Sequence, residues 1–297
     1  MSRSSEPGAT SPRRLTALVT GASSGIGMDF AHLLAEKDYD LVLVARRPEP
    51  LHEVARAVEA KHPVKVTVLT SDLADPSAPE RLVQQLEDQH IEVDLLVNNA
   101  GYTMDGHLLA FPWEQHDAYV RVMATAPAEL IHRLLPGMLR REFGQVINVA
   151  SIGGLIPSSP FNTLYGPTKN FLVVLTRTLA TEYGAAGISF SVVCPGPVSD
   201  TGIVASTAHG AGWARFSWIL STPRGVTSRA YRAMLSGKVV QPVGIISRVL
   251  TITGRLLPTS LMSRLTGASV MFLAQEKRIR SAQAAGVVPD GQQPISS

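Results

Sequence analysis

Short apolar runs alternate with longer amphipathic stretches along most of the chain. The runs at Leu15–Thr20, Asp40–Ala45, Lys65–Thr70, Val93–Asn98, Gln145–Val149 and Ser189–Cys194 are rich in Val, Leu and Ile and predict strands. Between them, Asp29–Lys37, Pro50–Lys61, Pro79–Gln89, Glu114–Arg141 and Thr168–Tyr183 carry apolar residues at helical spacing, as Phe30, Leu33 and Leu34 do in the first. Asp40–Ala45 is apolar without alternation, the pattern of a parallel strand covered on both faces. Strand and helix taken in turn predict an α/β fold, a doubly wound parallel sheet in a single domain. Ligands on such a sheet bind at the carboxyl ends of the strands.

The first such end carries Thr20-Gly21-Ala22-Ser23-Ser24-Gly25-Ile26-Gly27. Glycine lets the backbone approach a ligand closely. A helix that opens directly after the turn offers unpaired N–H groups and the positive end of its dipole to a phosphate. A glycine triplet alone also fits an ordinary turn, but between a strand and a helix it fits a dinucleotide cradle of Rossmann type. The second strand ends at Ala45 and is followed by Arg46 and Arg47, with no carboxylate at the position that would bind a ribose 2′-hydroxyl. This predicts NADP rather than NAD; the alternative is two arginines that are simply solvated.

Tyr165 and Lys169 stand four apart, one turn on the same helical face, with Pro167 compatible with a helix that begins close to Tyr165. A phenol is a poor base at neutral pH, and an adjacent ammonium favours its ionised form. Ser151 lies 14 residues upstream, after the fifth strand. The three together predict proton transfer in an alcohol–carbonyl interconversion.

These segments, with Asp72-Leu73, Asn98-Asn99-Ala100-Gly101 and Pro195-Gly196, resemble the short-chain dehydrogenase/reductase family over roughly residues 14–200. The resemblance implies that Gly21, Gly25 and Gly27 line the pyrophosphate and that Asp72 contacts the adenine, and Ser23, Ser24, Ile26, Arg46, Arg47 and Leu73 are expected to bind the cofactor with them. It places Asn99, Ala100, Gly101, Pro195, Gly196 and Val198 beside the cofactor. It implies Tyr165 as general acid/base, Lys169 on the nicotinamide ribose and Ser151 on the substrate carbonyl. It also implies a homodimer or tetramer through the two long helices. On residues alone, Asp72 reads as a turn or helix cap and the Asn pair as a strand-ending turn. Two positions depart from the family. Met123 stands where it has an asparagine, associated with a helix irregularity whose carbonyl holds a relay water, and Asp200 stands where it has a threonine. These departures also fit a catalytically weak NADP-binding sensor or interaction protein.

Composition narrows the rest. The chain has 297 residues, 45% of them apolar, enough for one large core. Its single cysteine, Cys194, excludes an internal disulfide and reads as buried filler. Residues 1–14 read as a disordered tail rather than a leader, residues 15–235 as the dinucleotide-binding domain with a substrate lid at about 197–225, and 236–297 as an amphipathic extension. The net charge of +3 hides an asymmetry, since residues 224–280 hold ten Lys or Arg against Glu276. There Arg248 and Arg255 share a helical face beside Ile245, Ile246, Val249, Ile252, Leu256 and Leu257. Such a stretch fits peripheral contact with an anionic membrane, a helix capping the pocket, or a subunit contact; nucleic acid is not expected, and neither is a metal. Trp213, Phe216 and Trp218 fit either an apolar substrate pocket or ordinary packing. The expectation is an NADP-dependent oxidoreductase of a hydrophobic ketone, aldehyde or alcohol, cytoplasmic, with membrane-surface contact left open.

Overall fold

The computed structural model describes residues 13–104, 106–156, 163–199 and 221–244, with seven single positions between 247 and 264. Seven strands, β1 (Thr16–Thr20), β2 (Asp40–Ala45), β3 (Val66–Thr70), β4 (Leu95–Asn98), β5 (Gly144–Val149), β6 (Ile188–Pro195) and β7 (Val240–Val243), form one parallel sheet in the order β3-β2-β1-β4-β5-β6-β7. Helices α1 (Gly25–Ala35), α2 (Pro48–Glu59) and α7 (Pro223–Leu235) cover one face. Helices α3 (Ala78–Asp88), α5 (Ala126–Arg140) and α6 (Tyr165–Tyr183) cover the other, with α4 (Trp113–Val120) leading into α5.

The strands are buried on both faces, and side-chain alternation sorts their residues. Ala17, Val19, Leu41, Leu43 and Val97 meet Phe30, Leu51 and Val226 on one side, whereas Leu18, Val42, Val44 and Leu96 meet Leu82, Leu130 and Ile131 on the other. Strand order reverses direction between β1 and β4, which opens a crevice at their carboxyl ends.

A polar ladder crosses the second layer. Asn98 donates to Asn148 Oδ1 (2.9 Å) and to the Pro127 carbonyl (3.3 Å), and Asn148 donates to Thr176 Oγ1 (2.9 Å). Buried amides need such partners, so this ladder fixes α5 and α6 against β4 and β5.

Several expectations shift. The helix read as Glu114–Arg141 is two helices joined by a π-helical turn at Arg121–Thr125. α6 opens at Tyr165, three residues ahead of the apolar pattern Thr168–Tyr183 and where the Tyr165–Lys169 pairing required, so Pro167 falls in its first turn, where a missing N–H is tolerated. β7 carries the sheet past residue 235, where the domain was expected to end. α7 opens the basic segment, and its apolar residues Val226, Ala230 and Met234 lie in the core. Arg13, expected in a tail, donates through both Nη atoms (2.8 Å each) to the fully buried Asp94, which also accepts from Thr16 N. Arg14 donates to Pro63 O at 2.6 Å. Residues 1–12, Asp200, Trp213, Phe216, Trp218 and most of 245–297, including Arg248 and Arg255, lie outside the described residues. Among the described residues, no helix is long and apolar enough to cross a membrane.

Candidate active site

The turn after β1 is glycine for steric reasons. Gly21 has φ +66°, and a Cβ there would stand 2.8 Å from Ala100 Cα. Gly25 has φ +55° and opens α1. Ser24, the N-cap of α1, makes no side-chain capping bond, so the first-turn N–H groups of the helix are left for a ligand.

These residues wall one end of a cleft of about 350 Å³. Gly21, Ser23, Ser24, Gly25 and Ile26 line it, as do Arg46, Arg47, Asp72, Leu73, Asn99, Ala100 and Gly101. Gly27 has a different place from the one expected. It is absent from the cleft wall, and a Cβ on it would lie 2.2 Å from the Gly21 carbonyl oxygen and 2.5 Å from Asn99 Nδ2. Its lack of a side chain lets α1 close on the turn.

Asn99 locks that turn from the β4 side, donating to the carbonyls of Thr20 (3.0 Å) and Gly21 (3.2 Å). Thr20 Oγ1 answers by accepting from Asn99 N and Ala100 N, both at 3.0 Å. Asp72 serves two ends at once, since it lines the cleft while its Oδ1 accepts from Ala74 N (3.0 Å). Sequence reasoning missed Ser71, Tyr102, Thr103 and Val122 in the wall. Tyr102 directly follows the Asn-Asn-Ala-Gly segment, and that adjacency was a usable signal. Its ring meets Tyr119 edge-on at 5.0 Å. Burial raises its phenol pKa, while nearby Arg46 and Asp72 act in opposite directions.

Tyr165, Lys169 and Ser151 converge beside the cleft at the same carboxyl edge. Lys169 Nζ lies 6.0 Å from the Tyr165 ring centroid and donates to the Val149 carbonyl at 2.9 Å. Ser151 Oγ accepts from Gly153 N (3.1 Å). A Cβ placed on Gly153 would be 3.0 Å from the Tyr165 ring and 3.7 Å from Ser151 Oγ, so these side chains meet over Gly153. A Cβ placed on Gly101, a cleft residue, would be 3.6 Å from Lys169 Nζ. Lys169 therefore stands between the cleft and Tyr165. Burial pushes its ammonium down to about 8, opposed by the field of Cys194, itself buried and pushed up to about 12.

Pro195 and Gly196 end β6, with Gly196 N bonded to Val243 O at 3.1 Å. Val198 is buried and bridges to Ser221. These three hold the carboxyl end of β6 but are not among the residues lining the cleft. The helix irregularity implied for position 123 is present with methionine there, as the π-helical turn. The asparagine side chain is not what makes it.

The cleft fits a nicotinamide dinucleotide in shape and donors: a glycine turn that a Cβ would block, a helix N-terminus, and two arginines at the end of β2. Known proteins agree. The family model described as short chain dehydrogenase matches residues 15–211. A ketoacyl reductase of Nostoc sp., HetN, is 33% identical over 219 residues, which cover 74% of this chain and 75% of the relative. D-beta-hydroxybutyrate dehydrogenase of Rhizobium meliloti is 32% identical over 184 residues, 62% of this chain and 71% of the relative. Among solved structures, L-sorbose reductase from Gluconobacter frateurii, complexed with NADPH and L-sorbose, superposes with a TM-score of 0.69 at 28% identity, covering 78% of this chain and 95% of that one. A short-chain dehydrogenase from Sphingobium yanoikuyae in complex with NADPH shares the fold, with a TM-score of 0.68 at 23% identity over 95% and 99% of the two chains. Sequence, topology and cleft thus lead to one assignment: the chain belongs to the short-chain dehydrogenase family, oxidoreductases that bind a nicotinamide cofactor and act on CH–OH groups.

Proposed function

We propose that the protein is an NADP-dependent oxidoreductase that interconverts a hydrophobic ketone or aldehyde and its alcohol, with Tyr165 as general acid/base. The observation that carries this reading is the convergence of Lys169, Tyr165 and Ser151 on Gly101 and Gly153, next to the glycine-walled cleft.

The nicotinamide supplies or accepts the hydride when bound. Ser151 Oγ donates to the substrate oxygen and orients it. Tyr165 gives the proton during reduction and takes it during oxidation. The Lys169 ammonium favours the phenolate and holds the nicotinamide ribose. In the cleft, Gly21 and Ser23–Ile26 take the pyrophosphate, and Asp72 and Leu73 take the adenine. Arg46 and Arg47, with Ala45 in place of a carboxylate, favour a 2′-phosphate. The NADPH complexes of the Gluconobacter and Sphingobium proteins support that preference. The name of the Nostoc relative supports a carbonyl on an acyl chain. Phe171 and Val174, exposed on α6, suit a homo-oligomer contact. Met123 favours a second reading, a weakly catalytic NADP-binding protein, because a thioether replaces a hydrogen-bonding amide beside Lys169.

Fluorescence titration with NADPH and NADH, followed by cofactor oxidation against a panel of hydrophobic carbonyls, tests the proposal. Tight NADPH binding with turnover lost in Tyr165→Phe is expected. The paired change Arg46→Ala, Arg47→Ala should weaken NADPH by about tenfold or more and spare NADH. Tight binding without turnover on any carbonyl would shift the reading to the binding protein, and equal loss for both cofactors would overturn the role of the arginines.

A further inference from the structure

The π-helical turn at Arg121–Thr125 sends two successive side chains to different parts of the site. Val122 lines the cleft. Met123 is buried and aims at Gly101, where a Cβ would lie 2.8 Å from its sulfur. That same point is 3.6 Å from both Met123 Cε and Lys169 Nζ. The thioether and the ammonium therefore converge on one backbone position, where the missing Cβ of Gly101 leaves the sulfur its place. Mid-helix π-turns are uncommon and concentrate at functional sites.

An ammonium has three N–H groups to place, and a thioether is a weak acceptor. Val149 O accepts one of them at 2.9 Å. Among the described residues, the Tyr165 ring, on its own helix, and the Cys194 thiol, on β6, also face Lys169. On the Gly101 side stands a sulfur and a methyl group where water or an amide would otherwise solvate the charge.

We propose that Met123 is a positioning residue for Lys169: its thioether walls the ammonium off from water on the Gly101 side and holds it toward Val149 O and Tyr165. The depressed proton affinity of Lys169, whose main cause is burial, agrees with such a wall. By keeping water from one side of the ammonium, Met123 contributes to the lowered proton affinity of Lys169.

This inference rests on the reading of Lys169 as part of the proton-transfer site, but its test needs neither cofactor nor substrate. The full-length, ligand-free protein carrying 13C-labelled lysine is titrated by NMR, and the Lys169 Cε signal is assigned by its loss in Lys169→Met. In the unmodified protein that signal should titrate near pH 8. Met123→Asn supplies an acceptor and should raise the midpoint by about one pH unit or more. Met123→Ala, which opens a path for water, should raise it as well and keeps the test usable if the asparagine variant does not fold. Met123→Leu, with similar volume and no acceptor, should leave the midpoint in place. A midpoint unmoved in both Met123→Asn and Met123→Ala would overturn the proposal. Absence of turnover alongside the expected NMR shifts would instead count against the oxidoreductase reading and leave the role of Met123 standing.

Discussion

Replacing Lys169 by methionine should abolish turnover and yet make the protein more stable near neutral pH. The Lys169 ammonium is buried and loses its proton at about 8, against 10.5 for an ordinary lysine. Each pH unit of that difference corresponds to about 1.4 kcal/mol, so burying the charge costs the fold about 3 kcal/mol. Below the folded value both folded and unfolded chains carry the proton, and the full cost is present. Between about 8 and 10.5 the folded chain sheds its proton first, and the cost fades. Methionine fills similar space without a charge. It also removes the 2.9 Å bond to Val149 O, leaving a buried acceptor at a cost of about 1 kcal/mol. The net expectation is a gain of about 2 kcal/mol at about pH 7, shrinking to nothing by about pH 10. Urea denaturation at the two pH values measures it, and comparing variant with parent cancels the contributions of other titrating groups to first order. A parent as stable as the variant at neutral pH, or a gain that does not change with pH, would refute the claim that this cation is held at a cost for function.

Other outcomes follow from single contacts. Gly27→Ala would drive a Cβ into the Gly21 carbonyl, which is backbone and cannot yield; a loss of about 3 kcal/mol in thermal or urea unfolding is expected, along with loss of cofactor quenching. Asp94→Asn removes the carboxylate that accepts from both Nη atoms of Arg13 and from Thr16 N in a fully buried position. It should destabilise by about 2–4 kcal/mol without altering cofactor affinity measured on the folded protein, since this cluster lies at the opposite end of the strands from the cleft. Tyr102→Ala removes a ring that lines the cleft and is held edge-on by Tyr119; cofactor affinity by fluorescence should fall about fivefold to tenfold. An unchanged affinity would show that the ring packs against Tyr119 alone.

Much of this architecture was legible because the residues that decide it act locally. β1, β2 and the existence of α1 follow from an apolar run, a glycine turn and helical spacing, and the boundaries of β2 coincide with its apolar run, whereas α1 opens at Gly25, inside the glycine segment, and not at Asp29. Two elements escaped for identifiable reasons. α7 presents Val226, Ala230, Ala233 and Met234 to the core, a helical spacing masked by small alanines among Ser, Thr and Arg. β7 has four residues and contains Pro242, which reads as a strand breaker, yet it lies at the sheet edge, where a missing N–H is tolerated. The break in the Glu114–Arg141 helix left no mark in the residue pattern and was implied by the family resemblance alone, because a π-turn adds one residue to a turn without requiring glycine or proline.

The site was legible as chemistry but not as geometry. A spacing of glycines shows that a turn must be tight. It does not say that Gly27 serves helix packing while Gly21 and Gly25 face the cleft. In the same way, Tyr165 and Lys169 are recognisable as a pair from their spacing on one helix, but nothing local brings that helix to the glycine turn. The connection is made by side-chain amides. Asn98 ties β4 to β5 and α5, Asn148 ties β5 to α6 through Thr176, and Asn99 ties the end of β4 to the glycine turn. In sequence these residues look like polar punctuation. In the fold they set the register that places the helix of Tyr165 and Lys169 beside a glycine turn more than a hundred residues away, and a register set by long-range side-chain bonds is the kind of information a local pattern does not carry.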